Sequence, residues 1–117
     1  MKIEQEFSIS HEQFSQGMLE MIGMTKTILE TFKKAYGKNK DPFYKVEVEK
    51  YTESLVGLVQ LFKSYTVRVE CGIGVNPIIL FSDGKALFGY RMKDEVDFSK
   101  RWYDTIAKKI NGKNMVI

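Results

Sequence analysis

With 117 residues, 44% of them hydrophobic and 13% aromatic, the chain is the size of one domain and well supplied for a core, which sets it apart from disordered sequences. A single cysteine, Cys71, and a single histidine, His11, exclude an intramolecular disulfide framework and a Cys/His zinc site. The net charge of +3 is too small to imply a polyanionic partner by itself, so its distribution along the chain carries more meaning.

Ile3, Phe7 and Ile9 fall on alternate positions, which predicts a first strand. Ser10 with Gln13 three residues on has the pattern of a capping box. Phe14, Met18, Met21, Ile28 and Phe32 then recur at helical spacing, with the polar Thr25 in the same row. A helix over about 11–36 is expected, stopped by Gly37. Asp41-Pro42 is suited to open a second helix, because Asp caps and Pro fits the first turn. Residues 43–49 alternate like a strand. The longer row Tyr44, Val48, Tyr51, Leu55, Leu58, Phe62 and Tyr65 favours a helix over 42–64.

Thr66 to Cys71 alternates and is rich in β-branched residues, which predicts a strand. Gly72, Gly74, Asn76 and Pro77 mark a turn, and Ile78 to Phe81 reads as a buried strand. Ser82-Asp83-Gly84-Lys85 is a hairpin signal, with Ala86 to Met92 as the return strand. Asp97 is expected to cap a last helix carrying Phe98, Trp102, Ile106 and Ile110, ended by Gly112, before a short strand at Met115 to Ile117. The expected fold is α+β in the order β-α-α-β-β-β-α. It is one domain over 1–117, a long helical hairpin packed on a small antiparallel meander with a C-terminal helix.

Catalytic chemistry finds no foothold in this pattern. His11 sits in a first helical turn, where a solvated role is expected, and no nucleophile stands beside it. Cys71 is expected as a buried, inert thiol, with Arg68 two residues away. Gly72-Ile73-Gly74 leads into a strand through Asn76-Pro77 rather than into a helix, so it is a turn and not a phosphate cradle. Asp94, Glu95 and Asp97 read as helix-end charges without metal-ligand spacing. A non-enzymatic protein without cofactor or metal is the expectation.

Two features point toward binding. Residues 33–45 hold five lysines against one aspartate, a net +4, and residues 100–113 are also +4. Lys33, Lys34, Lys38 and Lys40, interleaved with Tyr36 and Tyr44, have the make-up of a nucleic-acid or phosphate site; a solvated helix connection is the plainer reading. The apolar residues of both helices also spread too widely for one covered stripe. Met18, Met21 and Met24 with Leu58 and Leu61 are expected at a partner interface, in a homo-oligomer or with another protein. The acidic opening Met1 to Glu6 is unlike an export leader, and no apolar run approaches the roughly 18 residues of a membrane span. A cytoplasmic, self-associating regulator or inhibitor is the expected function, with a composition that would suit viral or mobile-element origin. Nucleic-acid or phosphate-ligand binding is the alternative.

Overall fold

The computed structural model describes residues 3–82 and 85–99. The elements are β1 (Gln5–Ser8), α1 (His11–Asn39), α2 (Pro42–Glu70), β2 (Asn76–Ser82), β3 (Lys85–Met92) and β4 (Glu95–Phe98). The four strands form one antiparallel sheet in the order β1-β2-β3-β4, so the long helical hairpin is inserted between two neighbouring strands. Phe7 pairs with Ile79, Ile79 with Phe88, and Tyr90 with Asp97.

Local chemistry explains the helix starts. Ser10 accepts from the Gln13 backbone N–H, and the Gln13 side chain accepts from the Ser10 N–H, which closes the capping box. Asp41 accepts from the Phe43 N–H at 2.9 Å, with Pro42 at the first helical position. Thr25, the polar member of the apolar row, is fully buried, and its hydroxyl donates to the Met21 carbonyl at 2.7 Å. That bond removes the penalty of burying a bare hydroxyl.

Both helices outlast their expected ends. Gly37 does not stop α1, which runs to Asn39 with Lys40 in the left-handed region at φ 54°. The segment 66–71, expected as a strand, is the last part of α2. Its β-branched residues disfavour helix by only tenths of a kcal/mol each, whereas extending an existing helix gains a hydrogen bond per residue. Termination waits for Gly72 at φ +75°, where the Ile73 N–H reaches the Arg68 carbonyl and the Gly72 N–H the Val69 carbonyl, a Schellman closure. The alternative strand over 43–49 is helix as well.

Asp97 and Phe98 do not open a helix; they belong to β4. Glu95-Val96-Asp97-Phe98 alternates polar and apolar, and a tight turn at Lys93-Asp94, with Lys93 at φ 50°, folds it back on β3. The three strands after the hairpin are therefore β2, β3 and β4, each one step later than the sequence suggests. The remainder of the expected last helix, the terminal strand and the Asp83-Gly84 turn lie outside the described residues.

The core joins hairpin to sheet. Phe14, Met18, Met21, Leu58, Leu61 and Tyr65 pack on Val75, Ile79, Ala86, Phe88 and Tyr90. Alternate residues Ile78, Leu80 and Leu87 form a second buried cluster with Val96 and Phe98. Apolar burial on both faces explains why Ile78 to Phe81 is an unbroken apolar run. Gly17 allows the helix-to-sheet approach, since a Cβ there would stand 2.4 Å from the Phe88 ring.

Candidate interaction surfaces

The structure spreads the expected partner residues through its own core. Met18, Met21 and Leu58 are fully buried and Leu61 is 7% exposed, all within one chain. Met24 is half-buried against the same cluster. The sequence signal behind them, apolar residues on more than one side of each helix, is nevertheless visible on the surface. Leu19 is 59% exposed and Val56 50% exposed.

Helical geometry places both on the outside of the hairpin. At about 100° per residue, Leu19 stands about 200° round α1 from Gly17, which faces Phe88, and Ile22 about 140° from it. On α2, Val56 and Val59 stand about 140° and 200° from the core residue Leu61. Leu19, Val56 and Val59 therefore lie on the side of the hairpin turned away from the sheet, while Ile22, at the edge of that side, also packs against the core cluster. Ring contacts Phe14–Tyr65 at 4.2 Å and Phe32–Tyr51 at 5.6 Å set the register of the two helices, with 19–22 level with about 58–61 and Val56 roughly one turn nearer the tip. Ile22 and Val59 are half-buried. A Cβ on the neighbouring Gly23 would meet nothing within 4 Å.

The far end of the hairpin is a second surface. Helices of 29 residues span about 43 Å, while strands of 7–8 residues span about 25 Å, so the sheet covers only part of the hairpin. Buried residues of α1 end at Leu29 and those of α2 begin at Leu58. Beyond them, Phe32 is held by Phe43, Tyr44 and Tyr51 at centroid distances of 5.6–6.3 Å, and the Phe43 ring stays 57% exposed. Lys33, Lys34, Lys38, Lys40 and Lys45 are all exposed at this end, Tyr44 is half-buried in the cluster, and Tyr36 is half-buried nearby in sequence. The Lys40 ammonium lies over the Tyr36 ring at 5.0 Å. Lys33 meets Glu30 at 3.9 Å, an exposed pair. Lys34, Lys38 and Lys45 form no ion pair among the described residues.

Near the sheet, α2 and β4 flank an open groove of about 670 Å³ lined by Gly57, Leu61, Ser64, Asp97 and Phe98. A polar network beside it, along a second cavity lined by Arg68, Tyr90, Met92 and Asp97, was not legible in the sequence because its members come from three elements. The Tyr90 hydroxyl donates to Asp97 at 3.1 Å and also meets Ser64 at 2.8 Å and the Arg68 guanidinium at 3.2 Å. Arg68 continues to Ser64 and to the Met92 sulfur. These groups satisfy one another, which explains how a fully buried tyrosine hydroxyl is tolerated. His11 Nδ1 hydrogen-bonds the Tyr65 hydroxyl, so the lone histidine anchors the start of α1 to α2. Burial pushes the Tyr65 phenol above its ordinary range.

Cys71, expected to be buried at the end of a strand over 66–71, is exposed at the end of α2, since that segment is helix. No group of three or more metal-ligating side chains occurs among the described residues, and none of their helices is long and apolar enough to cross a membrane. No family model, no curated protein and no solved structure matches the chain.

Proposed function

We propose that the protein is a non-catalytic interaction module, a small regulator or inhibitor that associates with a second copy of itself through the outer face of its helical hairpin. One observation carries this reading: Leu19 and Val56 stand half or more exposed on helix faces turned away from the sheet, in the same stretch of the hairpin as the half-buried Ile22 and Val59. Large aliphatic side chains gain roughly 25 cal/mol per Å² when they leave water, and a matching patch on a two-fold partner offers that burial to both copies at once. Gly23 beside the patch lets a partner helix come close. Two hairpins laid face to face would form a four-helix layer flanked by the two sheets.

The mass in solution tests the reading. Light scattering behind size exclusion should give a dimer for the unaltered chain. Leu19→Glu with Val56→Glu should give a monomer with unchanged helical circular dichroism. A monomer at every concentration, or a dimer that survives both substitutions, would overturn the proposal.

A further inference from the structure

The end of the hairpin is built differently from the outer face, and its chemistry selects a different partner. Five exposed lysines, Lys33, Lys34, Lys38, Lys40 and Lys45, surround a cluster of aromatic rings from which Phe43 projects. The only acid in residues 33–45 is Asp41, and its carboxylate is engaged by the Phe43 N–H at the start of α2. Nothing in the described structure covers this end, because the sheet stops short of it.

From this charge and this exposed ring we infer that the tip of the hairpin is a binding site for single-stranded nucleic acid. Lysines neutralise backbone phosphates, and an aromatic face stacks on an unpaired base whatever its identity. The ring is pre-positioned: Phe43 is braced edge-on by Phe32 at 6.3 Å and by Tyr44 at 5.4 Å, so stacking costs little further ordering. A paired duplex would offer phosphates but hide its base faces, leaving Phe43 without a role. An anionic lipid surface would use the same lysines, but Phe43 and Val46 are the only large apolar side chains exposed between residues 33 and 46, little to insert.

Fluorescence anisotropy of a labelled oligothymidylate, titrated with the full chain at several salt concentrations, tests the site. Affinity should fall with rising salt, by roughly 0.7 log unit per tenfold change in salt for each phosphate neutralised. Lys38→Glu with Lys40→Glu should weaken binding more than tenfold and flatten that slope. Phe43→Ala should weaken binding roughly 5- to 100-fold, the range of one lost base stack, and leave the slope unchanged. All three positions are exposed, and circular dichroism confirms that the variants fold.

The monomeric Leu19→Glu, Val56→Glu variant should bind a single oligonucleotide as the unaltered chain does, which keeps this test separate from that of self-association. No measurable binding at low salt would overturn the inference, as would affinity indifferent to the lysine substitutions. Capture by phosphatidylserine vesicles with none by the oligonucleotide would overturn it in favour of a lipid surface.

Discussion

The two ends of the hairpin are made from the same materials and end in different states. At the base, Phe14 packs on Tyr65 and Phe88 and is fully buried. Toward the tip, Phe32 makes more ring contacts, with Phe43, Tyr44 and Tyr51, yet remains half-buried. The difference is the sheet. Two helices bury only the seam between them, and a residue beside that seam loses the rest of its water only when a third layer lies across it. Stability is therefore concentrated where hairpin and sheet overlap, and the rest of the hairpin is free to serve as surface.

Equal substitutions at the two ends sharpen this contrast. Phe14→Ala should cost about 3–5 kcal/mol, enough to threaten folding, whereas Phe32→Ala should cost about 1–2 kcal/mol. Urea denaturation followed by circular dichroism measures both, and equal losses would break the comparison. Leu61→Glu, at a base position once expected to face a partner, should abolish cooperative unfolding altogether, while Val46→Glu at the tip should leave the midpoint nearly unchanged.

Within the sheet, Gly89→Ala should destabilise by about 1–3 kcal/mol. A Cβ there would come within 2.5 Å of the Asp97 backbone carbonyl, which can yield only if β4 moves. The denaturation midpoint reads the cost directly.

Tyr65→Phe probes the polar side of the base and should cost about 1 kcal/mol through loss of the bond to His11. The phenol's pKa is raised in the folded state, so its contribution is complete below the unfolded value of about 10 and is lost as pH climbs through the folded value. Denaturation midpoints at pH 7, 9 and 11 should show the native chain losing its advantage over Tyr65→Phe only at the highest pH. The smallest effect is expected at the tip. Lys40→Gly removes left-handed strain at φ 54° and should stabilise by up to about 1 kcal/mol, seen as a slightly higher midpoint.

Local signals in the sequence marked most of the elements, though Gly37, the segment 66–71 and Asp97 pointed the wrong way. Ser10 with Gln13 and Asp41 with Pro42 marked both helix starts, and the row from Phe14 to Phe32 and the row from Tyr44 to Tyr65 marked both helices. The run Ile78 to Phe81 identified the central strand. Of the candidate surfaces, the lysines and tyrosines of the hairpin tip were legible because they are close in sequence. The outer patch was legible only as a general excess of apolar residues. The pattern could not say which of Met18, Leu19, Met21 and Ile22 would be covered.

Chain composition and spacing alone determined the α+β class and the helical hairpin, because caps, periodicities and turns act over a few neighbouring residues. Only the tertiary structure decided that α2 absorbs residues 66–71 and that Asp97 serves Tyr90 rather than a helix. It also decided that Met18, Met21, Leu58 and Leu61 face the sheet and leave Leu19 and Val56 outside. Those outcomes depend on which surface a helix finds opposite it, a contact between residues tens of positions apart that no local pattern encodes.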